Sequence, residues 1–199
     1  MLKFKATATI LLLIFVFNVS AHSAFSAEAI SHDSSELKKL FHEDQSDRAT
    51  PNINWKKLSE ADNYRISIVE KMLKNNGIKT GLDYYEAAFI EQHGSNPKNY
   101  LLAHIFSIVS LSKGYKRASW ISAATLDRYL ITIGKPQIFG TQTHYDLDKN
   151  GDPIGEASRE PFDSELVSDN VRNAMNITNL KDLAERLRKE DFSSNIEKQ

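Results

Sequence analysis

The stretch that decides the fold runs from Trp120 to Gln142, W-I-S-A-A-T-L-D-R-Y-L-I-T-I-G-K-P-Q-I-F-G-T-Q. Its first half carries apolar residues at the helical period, and Gly134 is placed to stop that helix. Its second half opens a polar loop in which Gln137, Thr141 and Gln142 stand close together. Upstream the chain reads as successive helices, and downstream as a short hairpin followed by helix. The fold this predicts is mainly α: a compact domain of antiparallel helices with one short β-hairpin.

Working back from Trp120, Gly114 separates two helical runs, and Gly94-Ser95-Asn96-Pro97 separates the earlier of them from the helix before it. Proline suits the first helical positions, where its missing N–H is no loss. The run after Pro97 is apolar over a wide arc and is expected to be largely buried. Trp120 and Asp127, seven residues apart, are expected to share a packed face. Another helix begins at Thr80-Gly81, with Tyr84, Ala87, Ala88 and Ile90 inward. The helix before it is expected to start at Ser59, with Asp62 three positions on as a capping-box variant. It is expected to bury Tyr64, Ile68, Met72 and Leu73 and to stop at Asn75-Asn76-Gly77. The first helix follows Asp33 or Ser34 as cap and turns Leu37, Leu40 and Phe41 to one side.

Downstream, Asn150-Gly151 is a strong hairpin signal, with Phe139, Thr143, Tyr145 and Leu147 as an alternating face. D-L-D-K-N-G-D, Asp146 to Asp152, imitates a calcium loop, but the position of its closing carboxylate is Ala157, so the hairpin reading is preferred. Polar linker runs to Pro161, a short helix spans Asp163 to Met175, and Leu180, Leu183, Ala184 and Leu187 mark a terminal amphipathic helix.

Lys3, Lys5, a short apolar run and small residues to Ala27 form the pattern of a signal peptide over residues 1–26, with cleavage after Ala21 or Ser26. A flexible segment at 27–35, a single helical domain at 36–190 and a disordered tail at 191–199 complete the expected organisation. The expected location is periplasmic or secreted, with no membrane association after cleavage. The chain has 25 basic and 26 acidic residues, and losing Lys3 and Lys5 with the leader leaves a mild acidic excess. Such a surface has no general attraction for nucleic acid. The absence of cysteine excludes disulfides, zinc–thiolate centres and thiol chemistry.

Candidate functional residues fall in four places. Asp44, Asp47 and Arg48 close the first helix, either as a solvated end with local ion pairs or as an anion and ligand site. His93 follows Gln92 at a helix end and is either a cap or a proton carrier. His104 lies inside a helix, where a buried ring needs a partner on a neighbouring helix. Asp127 and Arg128 lie in an apolar helix, as a structural ion pair or, for Asp127, as the group that fixes a histidine tautomer. Asp62 and Arg65 present the same choice. His93 and His104 match no zinc signature, and no metal or cofactor is assigned.

Four motifs stand in order: D-Q-x-D-R at Asp44 to Arg48, Gln92-His93, Asp127-Arg128, and G-x-x-Q-x-x-G-T-Q from Gly134 to Gln142. Together they resemble an uncharacterised bacterial family of small helical domains, often exported or lipid-anchored, over residues 36 to 188. Pro161, Asp163, Arg172 and the leucines from Leu180 to Leu187 fit its later pattern. Phe139 stands where a tyrosine is expected and Gly94 where an alanine is commoner. The resemblance implies a functional role for Gln92, His93, Asp127, Arg128, Gln137, Thr141 and Gln142, and implies no mechanism.

Three readings follow. In the first, the domain binds a small polar ligand or an envelope protein through Asp44, Asp47, Arg48, Gln92, Arg128, Gln137, Thr141 and Gln142. In the second it is a hydrolase with His93 as general base and Asp127 orienting it. In the third the polar residues only join helices. His93, Asp127, Arg128 and Gln142 are expected to come within a single cluster, and their separation across the molecule would sink both site readings.

Overall fold

A computed structural model describes residues 33–50, 53–149 and 153–187. The expected leader, most of the expected flexible segment, the Asn150-Gly151 turn and the expected tail lie outside the described residues. The fold is mainly α with one two-stranded antiparallel sheet.

Helix α1 spans Ser35–Arg48, and the Ser34 hydroxyl caps it by accepting the Leu37 N–H at 3.2 Å. Its inner face is Leu37, Leu40 and Asp44, a three-then-four spacing that places an acid in line with two leucines. Helix α2, Trp55–Lys74, starts four residues before the expected Ser59. Asn54 is the reason, since its side chain takes the Lys57 N–H at 3.0 Å and leaves Ser59 inside the helix. The expected inner face is also corrected. Tyr64 is 62% exposed and Leu73 37%, whereas Leu58, Asp62, Arg65, Ile66 and Val69 are buried. The helix is rotated because Asp62 and Arg65 find partners on α1, so two charged residues belong to the interior.

Helix α3 spans Gly81–Glu91 and opens on a full capping box between Thr80 and Asp83. The Asp83 carboxylate also accepts the Ser34 N–H at 2.7 Å and so ties the starts of α1 and α3 together. Helix α4, Pro97–Ser112, has Pro97 in its first turn and the Asn96 side chain as its cap. Its buried face is narrower than expected. Leu101, Ile105 and Ile108 are 37%, 48% and 47% exposed, while Ala103, Ser107 and Ser110 are buried. Small side chains on that face let α4 sit close between its neighbours α3 and α5. His104 reaches across, with Nδ1 2.9 Å from the Ser122 carbonyl.

A short 3₁₀ turn, Lys116–Ala118, leads into helix α5, Ser119–Thr132. Trp120 is 47% exposed and does not share the inner face with Asp127, which is fully buried. Gly134, at φ 72°, ends α5 by letting the Lys135 N–H reach back to the Leu130 carbonyl at 2.8 Å. Strands β1, His144–Leu147, and β2, Pro153–Ser158, pair antiparallel. Phe139 is not on this sheet: it joins Ala123, Val167 and Ile177 in a second apolar cluster. Helix α6, Asp169–Ala174, and a helical segment at 180–187 follow. The main core lies among α1 to α5 around Leu37, Val69, Ile90, Phe106 and Ile121. Among the described residues, no helix is long and apolar enough to cross a membrane.

Candidate functional site

Successive residues on a helix leave its axis about 100° apart, so Asp127 and Arg128 serve two different environments. The first is a clamp on the loop after α5. The carboxylate of Asp127 accepts the N–H groups of Ile138 at 2.8 Å, Phe139 at 3.0 Å and Thr141 at 2.9 Å, and the Thr141 hydroxyl at 2.8 Å. The loop bends around this carboxylate because Gly140 takes φ 66°. A side chain at Gly140 would also press on Leu183 and Phe162. Gln137, fully buried, donates to the carbonyls of Gln142 and Arg159 and accepts the Gln142 N–H at 3.0 Å. The Gln142 amide donates to Thr141 Oγ1 at 2.9 Å and the Ala124 carbonyl at 3.3 Å. Arg172, also fully buried, donates to the carbonyls of Phe139 and Thr178, both at 2.9 Å. Burial lowers its affinity for its proton, and the nearby Asp169 and Asp127 carboxylates offset part of that.

The second environment begins with an ion-pair lattice between α1 and α2. Arg48 reaches Asp44 at 2.8 Å and Asp62 at 2.7 Å. Arg65 reaches Asp62 at 2.8 Å and Asp47 at 2.7 Å. Burial works against the charge of Arg65, but its bonds to Asp62 and Asp47 outweigh that and hold its pKa above the ordinary value. Asp44 has no exposed surface. Burial pushes its carboxyl up to about 6, against the pull of Arg48, the Gln45 amide and Arg65. The cluster read as a possible solvated helix end is therefore an ion-pair lattice between α1 and α2, buried at Asp44 and half-exposed at Asp47.

Beyond Arg48 the lattice opens onto His93, just past the C-cap of α3, with its side chain 15% exposed. Its Nε2 lies 3.6 Å from Asp44 Oδ2, too long for a hydrogen bond, and has no other partner among the described residues. Burial above all, with the charge of Arg48 next, drives the imidazole down to about 3, so the ring is neutral near pH 7. Arg128 arrives from α5 and also acts on His93. Its own pKa is lowered by burial and by Arg48, with the Tyr100 phenol as the opposing influence. Among the described residues Arg128 makes no ion pair, and its Nε has no hydrogen-bond partner.

The expected single cluster is thus divided in two. His93 and Arg128 come together with Arg48, while Asp127, Gln137, Thr141 and Gln142 form the clamp. No hydrogen bond joins Asp127 to a histidine among the described residues, because both of its oxygens are taken by residues 138–141. Gln92 is buried at the C-cap of α3, and Asp47 is 48% exposed at the edge of the lattice. Tyr100, in the first turns of α4, was missed by sequence reasoning; its spacing of seven from His93 across a turn gave no usable signal. Arg172 belonged to the motif pattern but was given no role, and it proves to brace the clamp. No protein-family model, no curated protein and no solved structure matches this chain.

Proposed function

We propose that this chain is an exported domain that binds a small polar ligand, without chemistry, where α1, the end of α3, α4 and α5 meet. One observation carries the reading. Among the described residues, His93 Nε2 and Arg128 Nε are both buried without a hydrogen-bond partner. Each such group costs about 1–3 kcal/mol unless something completes it, and a ligand reaching both would complete them together. In the clamp Arg172 Nε is likewise without a hydrogen-bond partner among the described residues, but the Asp127 carboxylate is filled by its own loop and serves the fold. The motifs that resemble the uncharacterised bacterial family supply both groups, and the sequence pattern of residues 1–26 supports export.

The hydrolase reading is less favoured by the same geometry. A general base works best with a pKa near the working pH, and His93 is held at about 3. Asp127 is committed to the loop and leaves the imidazole without an orienting carboxylate.

The test is a panel of sugars, amides, amino acids and carboxylic acids added to the isotope-labelled protein. Saturable shifts centred on His93, Tyr100 and Arg128, lost in His93→Ala, are the expected result. Shifts confined to other regions, or none from any member of the panel, would overturn the proposal. Export is tested separately by the mass of protein recovered from expressing cells, which should show cleavage after Ala21 or Ser26.

A further inference from the structure

Helix α4 carries an apolar stripe on its outer side. Leu101, Ile105 and Ile108, spaced four and then three, are 37%, 48% and 47% exposed, and Leu73 on α2 is 37% exposed. Between α2 and the first half of α4 lies a groove of about 470 Å³, walled by Leu73, Leu101, Leu102 and Ile105. The two amides at its Asn96–Asn99 end are already committed to the fold. Asn99 Oδ1 accepts the Asn96 amide at 2.6 Å, and Asn99 Nδ2 donates to Glu91 Oε2 at 2.9 Å. The groove therefore offers mainly apolar contact. Ile108 lies further along the same stripe, outside the walls of the groove. Large apolar side chains exposed together in this way mark a surface that another chain covers.

We infer that this face joins two copies of the chain, with α4 packed antiparallel on α4 about a two-fold axis at Ile105. The residues of the stripe are self-complementary about that point. Three and four positions away stand Leu102 and Leu101 on one side, Ile108 and Val109 on the other, and seven away stand Lys98 and Ser112. Lys98 and Ser112 are exposed, and Leu102 and Val109 are half-buried. Antiparallel pairing sets Leu101 and Leu102 of one copy against Val109 and Ile108 of the other, and Lys98 against Ser112. A parallel pair would set Lys98 against Lys98, which like charges disfavour. The two-fold also brings Ile108 of each copy over the groove of the other, because the groove occupies the first half of α4 and Ile108 the second. Each copy supplies one knob and one hole, and the assembly closes at two. A hydrocarbon chain lying in the groove would leave Ile108 uncovered. None of these residues belongs to the His93–Arg128 junction, so the inference stands independently of the binding reading.

Sedimentation velocity of the exported protein, over a concentration series up to about 1 mM, should show a monomer–dimer equilibrium and nothing larger. Ile105→Lys brings two like charges together at the axis and should weaken the dimer about 100-fold or more. Circular dichroism should show its fold unchanged, since Ile105 is half-exposed. The chain has no cysteine of its own, so Ile105→Cys should cross-link into a covalent dimer on mild oxidation. Tyr64→Cys, at an exposed position of α2 outside the stripe, should not. A monomer at every concentration would overturn the proposal, and so would a dimer that survives Ile105→Lys, or assembly beyond two copies. Should Ile105→Lys fail to fold, the cross-link decides: equal cross-linking of the two cysteine variants overturns the two-fold at Ile105.

Discussion

Asp127 and Arg128 are neighbours on α5, one acidic and one basic, and both are largely removed from water. The first is surrounded by four donors that fill its two oxygens. The second makes no ion pair among the described residues, and its Nε has no hydrogen-bond partner there. A buried charge whose bonding capacity is filled by its own chain is a fastener. One that is left incomplete weakens the fold and needs another reason to be there. This contrast separates the structural half of the motif set from the half proposed to bind, and it can be broken by mutation.

The largest effect is expected at the clamp. Asp127→Ala leaves three backbone N–H groups and one hydroxyl without their acceptor and frees the loop that carries Phe139 into the second apolar cluster. The expected loss is about 3–5 kcal/mol, read from urea unfolding. A loss under about 1 kcal/mol would mean that the loop holds its shape without Asp127, and the distinction drawn here would fail. Arg65→Ala comes next. It removes one of the two arginines paired with buried Asp62 and the arginine paired with half-exposed Asp47, with an expected loss of about 3 kcal/mol. Equal stability of that variant and the parent would show that the lattice contributes nothing net.

How much of this contrast was legible in the chain depends on how local each cause is. Thr80, Pro97 and Gly134 act within a few residues, and the helix boundaries they mark are found where their chemistry puts them. Asn54 is equally local, but Ser59 offered a rival cap, and the choice between them depends on which start lets α2 turn Asp62 and Arg65 toward α1. The inner face of α2 was misread for the same reason. Tyr64 is more apolar than Asp62, yet Asp62 is inside because Arg48, 14 residues earlier, meets it there. Asp44 did carry a usable signal, since it continues the spacing of Leu37 and Leu40. The partners of Asp127 lie 11 to 14 residues on, and apart from the Thr141 hydroxyl they are backbone groups, which no residue pattern names.

A smaller, pH-dependent effect tests whether orphaned polar atoms always indicate a site. Glu91, at the end of α3, is fully buried; its Oε2 accepts the Asn99 amide at 2.9 Å while Oε1 has no partner among the described residues. Burial raises its pKa from 4.5 to about 7, against the Asn99 bond and with some help from Glu70. Because the folded protein keeps this proton up to about 7 and the unfolded chain releases it near 4.5, its stabilising contribution is full below 4.5. It is lost as pH rises to about 7. His93 acts with the opposite sign: folding holds it neutral, so its contribution is full above 6.5 and is lost as pH falls toward 3. Comparing Glu91→Gln with the parent isolates the first contribution. The variant should be more stable by roughly 1–3 kcal/mol at pH 8, with the difference shrinking toward pH 5. A difference that does not change with pH would show that Glu91 does not hold its proton in the fold. An orphaned atom that relieves itself by protonation does not require a ligand, whereas the Arg128 guanidinium, although burial lowers its pKa, keeps its proton at neutral pH and has no such relief.

The smallest effect on stability is therefore expected at Arg128, and its sign matters more than its size. Arg128→Met keeps a long flexible stem for packing and removes a guanidinium that makes no ion pair among the described residues. If the guanidinium is present for a ligand, the free protein gains or loses no more than about 1 kcal/mol, with a gain the expected direction. If instead it joins helices as Asp127 joins α5 to its loop, the same change costs about 2 kcal/mol or more. Unfolding of the two variants in the same buffer settles which description applies. A large loss at Asp127 with no loss at Arg128 keeps the two halves distinct, whereas comparable losses at both would make the entire motif set structural and remove the support for a binding site.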